Sequence, residues 1–577
     1  MDCAPFQPVP LAAVGDAAMS SLEIAARTPL RPIEDVAEEA GLQPEEFEPY
    51  GRHKAKVVPE AVLDRMATQP QGRLVVVTAV TPTSAGEGKT TTSISLVQGM
   101  ATVGARAMLC MRQPSMGPVF GSKGGGTGGG HAQVVPMEDI NLHFTGDGHA
   151  VTSAHNLLAA AIDASLHHGN PLGIDPRTVT WPRTLDVNDR ALRNIMVGLG
   201  GRAHGVPRES GFVITAASEV MAILGLAAGP ADLRHRLGRI VVGDTLAGGP
   251  GTAEDLRVAG AMAALLRDAV RPNLVQTIEG RPAMVHAGPF GNIAPGNSSV
   301  IADQVALRLA DVVVTESGFG SDLGFEKFCH LLVPAGAPWL RPDAAVIVAT
   351  ARALKMHGGL SEADASATED LEALERGSEN LAAHVDIVRT VGLPVVVAVN
   401  RHGADTEPEL RLLAELARDL GADEVAVSDG FARGGMGAAE LAEAVLAALE
   451  RTSAFSPLNP PGTPILEQIE RIAVQLYGAD GIGLSPSAEQ SLGRLQAAGL
   501  GSLPVCMAKT HMSLSHDPTR KGRPRGFVLP VRDLVASVGA GFVVALCGDQ
   551  LLMPGLGRAP AFGRIDLDAD GHIAGLT

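Results

Sequence analysis

The run Thr83-Ser84-Ala85-Gly86-Glu87-Gly88-Lys89-Thr90 constrains this chain more than any other stretch. It follows the apolar run Leu74–Thr78, which reads as a buried strand. It precedes a helical pattern with Ile94, Val97, Met100 and Ala101 on one face. Strand, Gly-rich loop and helix in that order form a phosphate-binding unit. Gly86 and Gly88 let backbone N–H groups turn toward an anion, and the helix N-terminus adds partial positive charge. Lys89 is placed to reach the outer phosphates of a nucleoside triphosphate, and Thr90 to offer its hydroxyl to Mg²⁺. The pattern G-x-x-x-x-G-K-[ST] fails only at its first position, where Thr83 replaces Gly. A bare turn containing Gly-Lys-Thr is the alternative, and the flanking strand and helix argue against it.

The same alternation recurs downstream. Apolar runs at Ala107–Met111, Arg239–Val242, Met284–Ala287, Asp311–Thr315, Ala344–Thr350, Pro394–Asn400, Glu424–Ser428, Pro504–Lys509 and Phe542–Leu546 are separated by Gly-rich loops and helical patterns. Runs without polar alternation fit strands buried on both faces, so the expected fold is α/β with parallel sheets. Ligands collect beyond the carboxyl ends of such strands. Ala107–Met111 ends at Arg112, and it is expected to neighbour the strand before Lys89. Two cations there can clamp a transferring phosphoryl group and a carboxylate; a surface turn is the other reading of Arg112. Gly121–Gly130 (GSKGGGTGGG) is either a flexible linker or a backbone cradle carrying Lys123. Ser361–Glu379 is acidic and helical, and Ser453–Pro464 is Pro-rich and reads as a linker.

The net charge of −17 argues against nucleic acid or anionic membrane as the main partner, because such binding rests on exposed Lys and Arg. The five Cys are scattered without metal-ligand spacing, which suits a reducing compartment. The N-terminus lacks a basic region followed by an apolar one, and no apolar run is long enough to span a bilayer. A cytoplasmic protein is expected. Aromatic residues make up only 3% of the chain, so an aromatic in a polar loop is a site candidate. Adjacent His167 and His168 point different ways on a helix and read as surface or packing residues.

Several long stretches closely resemble formate–tetrahydrofolate ligases, over about residue 59 to the end. They include TPTSAGEGKTTT (Thr81–Thr92), QVVPMEDINLHFTGD (Gln133–Asp147), AHNLLAA (Ala154–Ala160), IDPRTVTW (Ile174–Trp181), VPRESGF (Val206–Phe212), RPNLVQT (Arg271–Thr277), RALKMHGG (Arg352–Gly359), YGADG (Tyr477–Gly481) and MPGL (Met553–Leu556). The resemblance implies a P-loop NTPase-like parallel sheet core with two smaller α/β domains. They fall at residues 1–365 for nucleotide binding and formate activation, 366–460 for the folate pocket, and 461–577. It implies ATP-dependent ligation of formate to tetrahydrofolate through formyl phosphate, a homotetramer, and a monovalent cation, K⁺ or NH₄⁺. Carried onto this chain, Thr83–Thr90 binds MgATP, Lys89 and Arg112 are the catalytic cations, and Thr90 meets Mg²⁺ through the phosphates. His402 and Phe431 stand where the family's Phe and Trp sandwich the pterin.

The chain departs from the family mainly on the acceptor side. Gln113 replaces the Glu of a REPS segment, and His131 replaces a Tyr after the glycine run. Val213 stands in place of an acid, Arg433 and Met436 in place of Lys and Glu, and Cys329–Val333 in place of a KCR stretch. Two other readings stay open from sequence: a ligase with another acceptor or carboxylate, and a non-catalytic nucleotide-binding paralogue. The basic run Arg520–Arg525 is either an attractor for the glutamyl tail of folate or a solvated or intersubunit loop.

Overall fold

A computed structural model describes residues 19–84, 86–121, 125–291, 293–549 and 551–576. Ala85 and Lys123, both singled out above, lie outside the described residues. Among the described residues, twelve strands form one sheet. In chain order they are β1 (Phe47–Pro49), β2 (Ala55–Val57), β3 (Arg73–Ala79), β4 (Ala107–Met111), β5 (Gly128–Gly129), β6 (Ala132–Val135), β7 (Asn273–Thr277), β8 (Pro282–Val285), β9 (Val312–Glu316), β10 (Ala344–Ala349), β11 (Val395–Asn400) and β12 (Glu424–Ser428). The sheet order is β1-β2-β7-β8-β4-β9-β3-β10-β11-β12, with β5 and β6 extending from β7. From β8 to β12 every pairing is parallel, and β7 joins β8 antiparallel.

The apolar runs become strands buried on both faces. In β3, Leu74 and Val76 enter one core while Val75, Val77 and Ala79 enter the other. In β10, Ala345 and Ile347 divide from Val346 and Val348 in the same way. The second core is closed by α1 (Lys89–Thr102) through Ile94, Val97 and Met100, and by a later helix through Leu441, Val445 and Leu449. The first core lies under α2 (Asp147–His167), α3 (Ala351–His357), α4 (Leu371–Thr390) and α5 (Glu407–Asp419). The acidic stretch Ser361–Glu379 is helical over Glu362–Ala367 and the start of α4.

Two of the large-sheet strands, β11 and β12, fall in residues 366–460, so that segment continues the sheet begun by β3. Among the described residues the C-terminal part adds three smaller sheets, one pairing Gly481–Leu484 with Val528–Val531, one built from Val505–Ala508, Asp533–Ser537 and Phe542–Leu546, and one pairing Asp566–Leu567 with Ile573–Ala574. No helix among the described residues is long and apolar enough to cross a membrane. His167 and His168 are both exposed at the end of α2.

α3 and α5 are tied together by a buried ion pair, Lys355 Nζ to Glu409 Oε1 at 2.7 Å, with side chains 4% and 0% exposed. The same carboxylate accepts the Thr406 N–H in a capping box at 3.1 Å, and Lys355 also donates to the Thr368 carbonyl at 2.8 Å. Lys355→Met removes the cation and leaves Glu409 charged and dry. The expected cost is about 3–5 kcal/mol, read as a lowered urea midpoint, and Lys355→Met/Glu409→Leu should recover most of it.

Candidate functional site

The loop between β3 and α1 takes its shape from its glycines and from one buried acid. Gly86 (φ +75°) and Gly88 (φ +74°) are left-handed, where a Cβ is strained. Glu87 turns inward and is 3% exposed. Its Oε1 accepts the Thr83 N–H and the Thr83 hydroxyl, each at 2.8 Å, and its Oε2 accepts the Thr350 hydroxyl at 2.9 Å. Its carbonyl accepts from Asn400 Nδ2 at 3.1 Å. The Thr83 hydroxyl, at the position where the sequence pattern has Gly, is thus part of the bracket that seats Glu87. Ser84 donates to Glu362 at 2.5 Å, and Arg352 Nη2 donates to the Gly86 carbonyl at 3.1 Å. Lys89 and Thr90 are the first two residues of α1, partly buried at its N-terminus.

β3 and β4 are not neighbours, contrary to the expectation from sequence. β9 runs between them, pairing with both. Sequence order cannot reveal this, since a crossover connection places a later strand wherever the helices allow. Lys89 and Arg112 thus follow strands two spacings apart, about 10 Å. The gap is filled by the end of β9: Ser317 donates its hydroxyl to the Val77 carbonyl at 3.1 Å, and Gly318 follows. The Arg112 guanidinium lies over Gly318, where a Cβ would sit 2.7 Å from Nη2. Burial lowers the Arg112 pKa, and the nearby Glu316 carboxylate opposes this. Phe319, left-handed at φ +63°, stacks on His511 from the C-terminal part with ring centroids 4.7 Å apart.

The loops after β11 and β12 carry the two ring residues. The His402 N–H donates to Asp405 Oδ2 at 2.7 Å, and its Nε2 is buried without a partner. Burial pushes the His402 pKa below its ordinary 6.5, and Arg352 adds to this. Phe431, on a short helical turn at Gly430–Arg433, is 54% exposed. Its carbonyl accepts the His131 N–H at 2.8 Å, and its ring lies over Gly129, where a Cβ would be 3.1 Å from Cε2. The two rings are borne by the loops that follow adjacent parallel strands. The described part of the glycine run is packed structure: β5 pairs with β6, and a Cβ at Gly130 would lie 2.2 Å from the Phe431 carbonyl oxygen.

Other singled-out positions fall outside this constellation. Val213 packs with Ile214, Ala217 and Phe290, an apolar setting with no need for an acid. Cys329 is buried in the core. Arg433 and Met436 line a cavity of about 460 Å³ with Arg401, Glu407 and Glu440. Gln113 lines another of about 380 Å³ with Ser115 and Asp186, and burial raises the Asp186 carboxyl pKa. The basic run is docked within the chain. Gly522 donates to His357 Nδ1 at 3.2 Å and accepts from Asn380 at 2.9 Å, while Arg523 pairs with Asp386 at 2.5 Å. Sequence reasoning missed Thr350, Asn400 and Ser317; the only signal was that each is among the first polar residues closing an apolar run.

Gly88→Ala tests the geometry of the loop. The left-handed φ costs about 1–3 kcal/mol, and the new methyl would lie 2.3 Å from Asn400 Nδ2. Calorimetric titration with MgATP should show at least about a tenfold weaker affinity, with the folded far-UV spectrum unchanged.

Known proteins match this sequence over nearly the whole chain. The family model described as formate–tetrahydrofolate ligase matches residues 19–577. Formate–tetrahydrofolate ligase of Saccharopolyspora erythraea is 52% identical over 565 residues, which is 97% of this chain and 99% of that protein. The protein of the same name from Paracoccus denitrificans is 54% identical over 557 residues, 96% of this chain and 100% of its own. That from Symbiobacterium thermophilum is 53% identical over 559 residues, 97% and 100%. A Gly-rich loop before a helix, an arginine one strand beyond its neighbour and two ring-bearing loops on the same sheet thus occur in a chain that belongs to the formate–tetrahydrofolate ligase family.

Proposed function

We propose that this chain ligates formate to tetrahydrofolate at the expense of ATP, giving 10-formyltetrahydrofolate, ADP and phosphate. The observation that carries this reading is the convergence of the Thr83–Thr90 loop, Arg112 and the loops of His402 and Phe431 at the carboxyl ends of one parallel sheet. On this reading the sheet is a P-loop NTPase-like core. Gly86, Gly88 and Lys89 hold the triphosphate, and Thr90 stands where its hydroxyl meets Mg²⁺.

In the first step a formate oxygen attacks the terminal phosphorus, the bond to the bridging oxygen breaks, and ADP leaves. In the second, N10 attacks the formyl carbon, the carbon–oxygen bond to phosphate breaks, and N10 loses its proton. Neither step needs a covalent bond to protein, so positioning and charge compensation supply the rate. Lys89 and Arg112 flank the end of β9 at a separation of about two strands, a span suited to a phosphoryl group and a carboxylate side by side. His402 and Phe431 hold the pterin. An imidazole and a phenyl ring can both stack on a heterocycle, at about 0.5–1.5 kcal/mol per aromatic pair.

The enzyme mixed with formate, tetrahydrofolate and MgATP should yield a product that acid converts to the absorbing methenyl form; no such absorbance would sink the reading. A homotetramer and dependence on K⁺ or NH₄⁺ belong to the same proposal, and light scattering and replacement of K⁺ by tetramethylammonium test them. His402 makes a further prediction. Its pKa lies below the ordinary 6.5, so the ring is neutral at pH 7 and gains charge only on acidification through that depressed value. Tetrahydrofolate affinity should be flat from pH 7 to 8 and fall on the acid side, and His402→Phe should remove that fall in a fluorescence titration.

A further inference from the structure

We propose that Asn400 is a positioning residue that couples the phosphate-binding loop to the acceptor loop, so that the two substrates are aligned by one side chain. The inference rests on the ligase reading above and adds a residue that the reading does not use. Asn400 ends β11 and is 4% exposed. Its Nδ2 donates to the Glu87 carbonyl at 3.1 Å, and the same nitrogen occupies the space a side chain at Gly88 would need. Glu87 and Gly88 immediately precede Lys89. On its other side, Asn400 precedes Arg401, whose N–H donates to the Ser428 carbonyl at 2.9 Å, and then His402, fixed by Asp405.

The second ring-bearing loop leans on the same body. A Cβ at Gly430, beside Phe431, would lie 2.2 Å from Ser95 Oγ in α1, the helix that Lys89 begins. The loop of His402 therefore packs directly on the phosphate loop, and the loop of Phe431 on the helix that this loop opens. Asn400 makes the link on the His402 side by one hydrogen bond and one close contact. A displacement of the 86–89 backbone is passed to His402 within two residues.

Transfer requires the acceptor amine within near-attack distance of the formyl carbon, while phosphoryl transfer to formate does not involve the acceptor. Loosening Asn400 should therefore damage the second step more than the first. Formyl phosphate would form and be lost to water, which attacks the formyl carbon, expels phosphate and returns formate. The net result is ATP hydrolysis uncoupled from product.

The test compares ADP released with 10-formyl product made. The wild type should give a ratio of one. Asn400→Asp keeps the shape but removes the N–H donor, and Asn400→Ala removes donor and contact. Both should raise the ratio severalfold and slow product formation about tenfold or more, with formate-dependent ADP release retained. A ratio of one in the folded variants overturns the proposal, whereas absence of product from the wild type instead overturns the ligase reading. A measurement on the wild type guards against variants that fail to fold: MgADP alone should slow amide hydrogen exchange at Arg401 and His402 as well as at residues 86–89. Protection confined to 86–89 would refute the coupling.

Discussion

Glu87 holds three strand ends in register, two through its carboxylate and one through its carbonyl. The carboxylate takes two hydrogen bonds from Thr83 after β3 and one from Thr350 after β10, while the carbonyl of the same residue takes one from Asn400 at the end of β11. Hydrogen bonds to a charged group contribute about 1.5–3 kcal/mol each, more than neutral ones. The carboxylate is buried, so losing the Thr83 or Thr350 donor leaves it with a large desolvation penalty. The anion also faces inward, which leaves the outward side of the loop to backbone amides, Lys89 and the N-terminus of α1.

The sheet order explains how the remaining charges are spaced. β9 separates β4 from β3, and Gly318 at its end lets the Arg112 guanidinium lie flat against the backbone. Any side chain there would push the cation out of line. The C-terminal part braces the same edge from outside. Lys509 and Asp322, both with fully buried side chains, pair at 2.5 Å, His511 stacks on Phe319, and Gly522 reaches Thr81 through His357 and Asn380. The basic run, which by sequence is either an attractor for a glutamyl tail or a solvated or intersubunit loop, takes part in this docking through Gly522 and Arg523.

Much of the site was legible because its chemistry is local. Gly86, Gly88, Lys89 and Thr90 fall within five consecutive positions, and glycine's tolerance of a positive φ is a property of the residue type alone. The roles of Thr83 and Glu87 were not legible, since one completes the other only when the turn closes over Thr350. Val213 illustrates the reverse case: of its apolar neighbours Ile214, Ala217 and Phe290, the last is brought from far along the chain, its N–H donating to the Ala216 carbonyl at 2.7 Å.

The sequence by itself determined that strands form at the apolar β-branched runs, that they are buried on both faces, and that a Gly-rich loop opens a helix at Lys89. It did so because burial of apolar side chains and glycine's freedom depend on residue type and spacing. Only the tertiary structure decided that β9 lies between β3 and β4, that Gly129 and Gly130 lie beneath Phe431, and that Asn400 touches the loop before Lys89. Those contacts join residues hundreds of positions apart. Which strand lies beside which is set by how the crossover helices pack on the two faces of the sheet, and no local pattern encodes that.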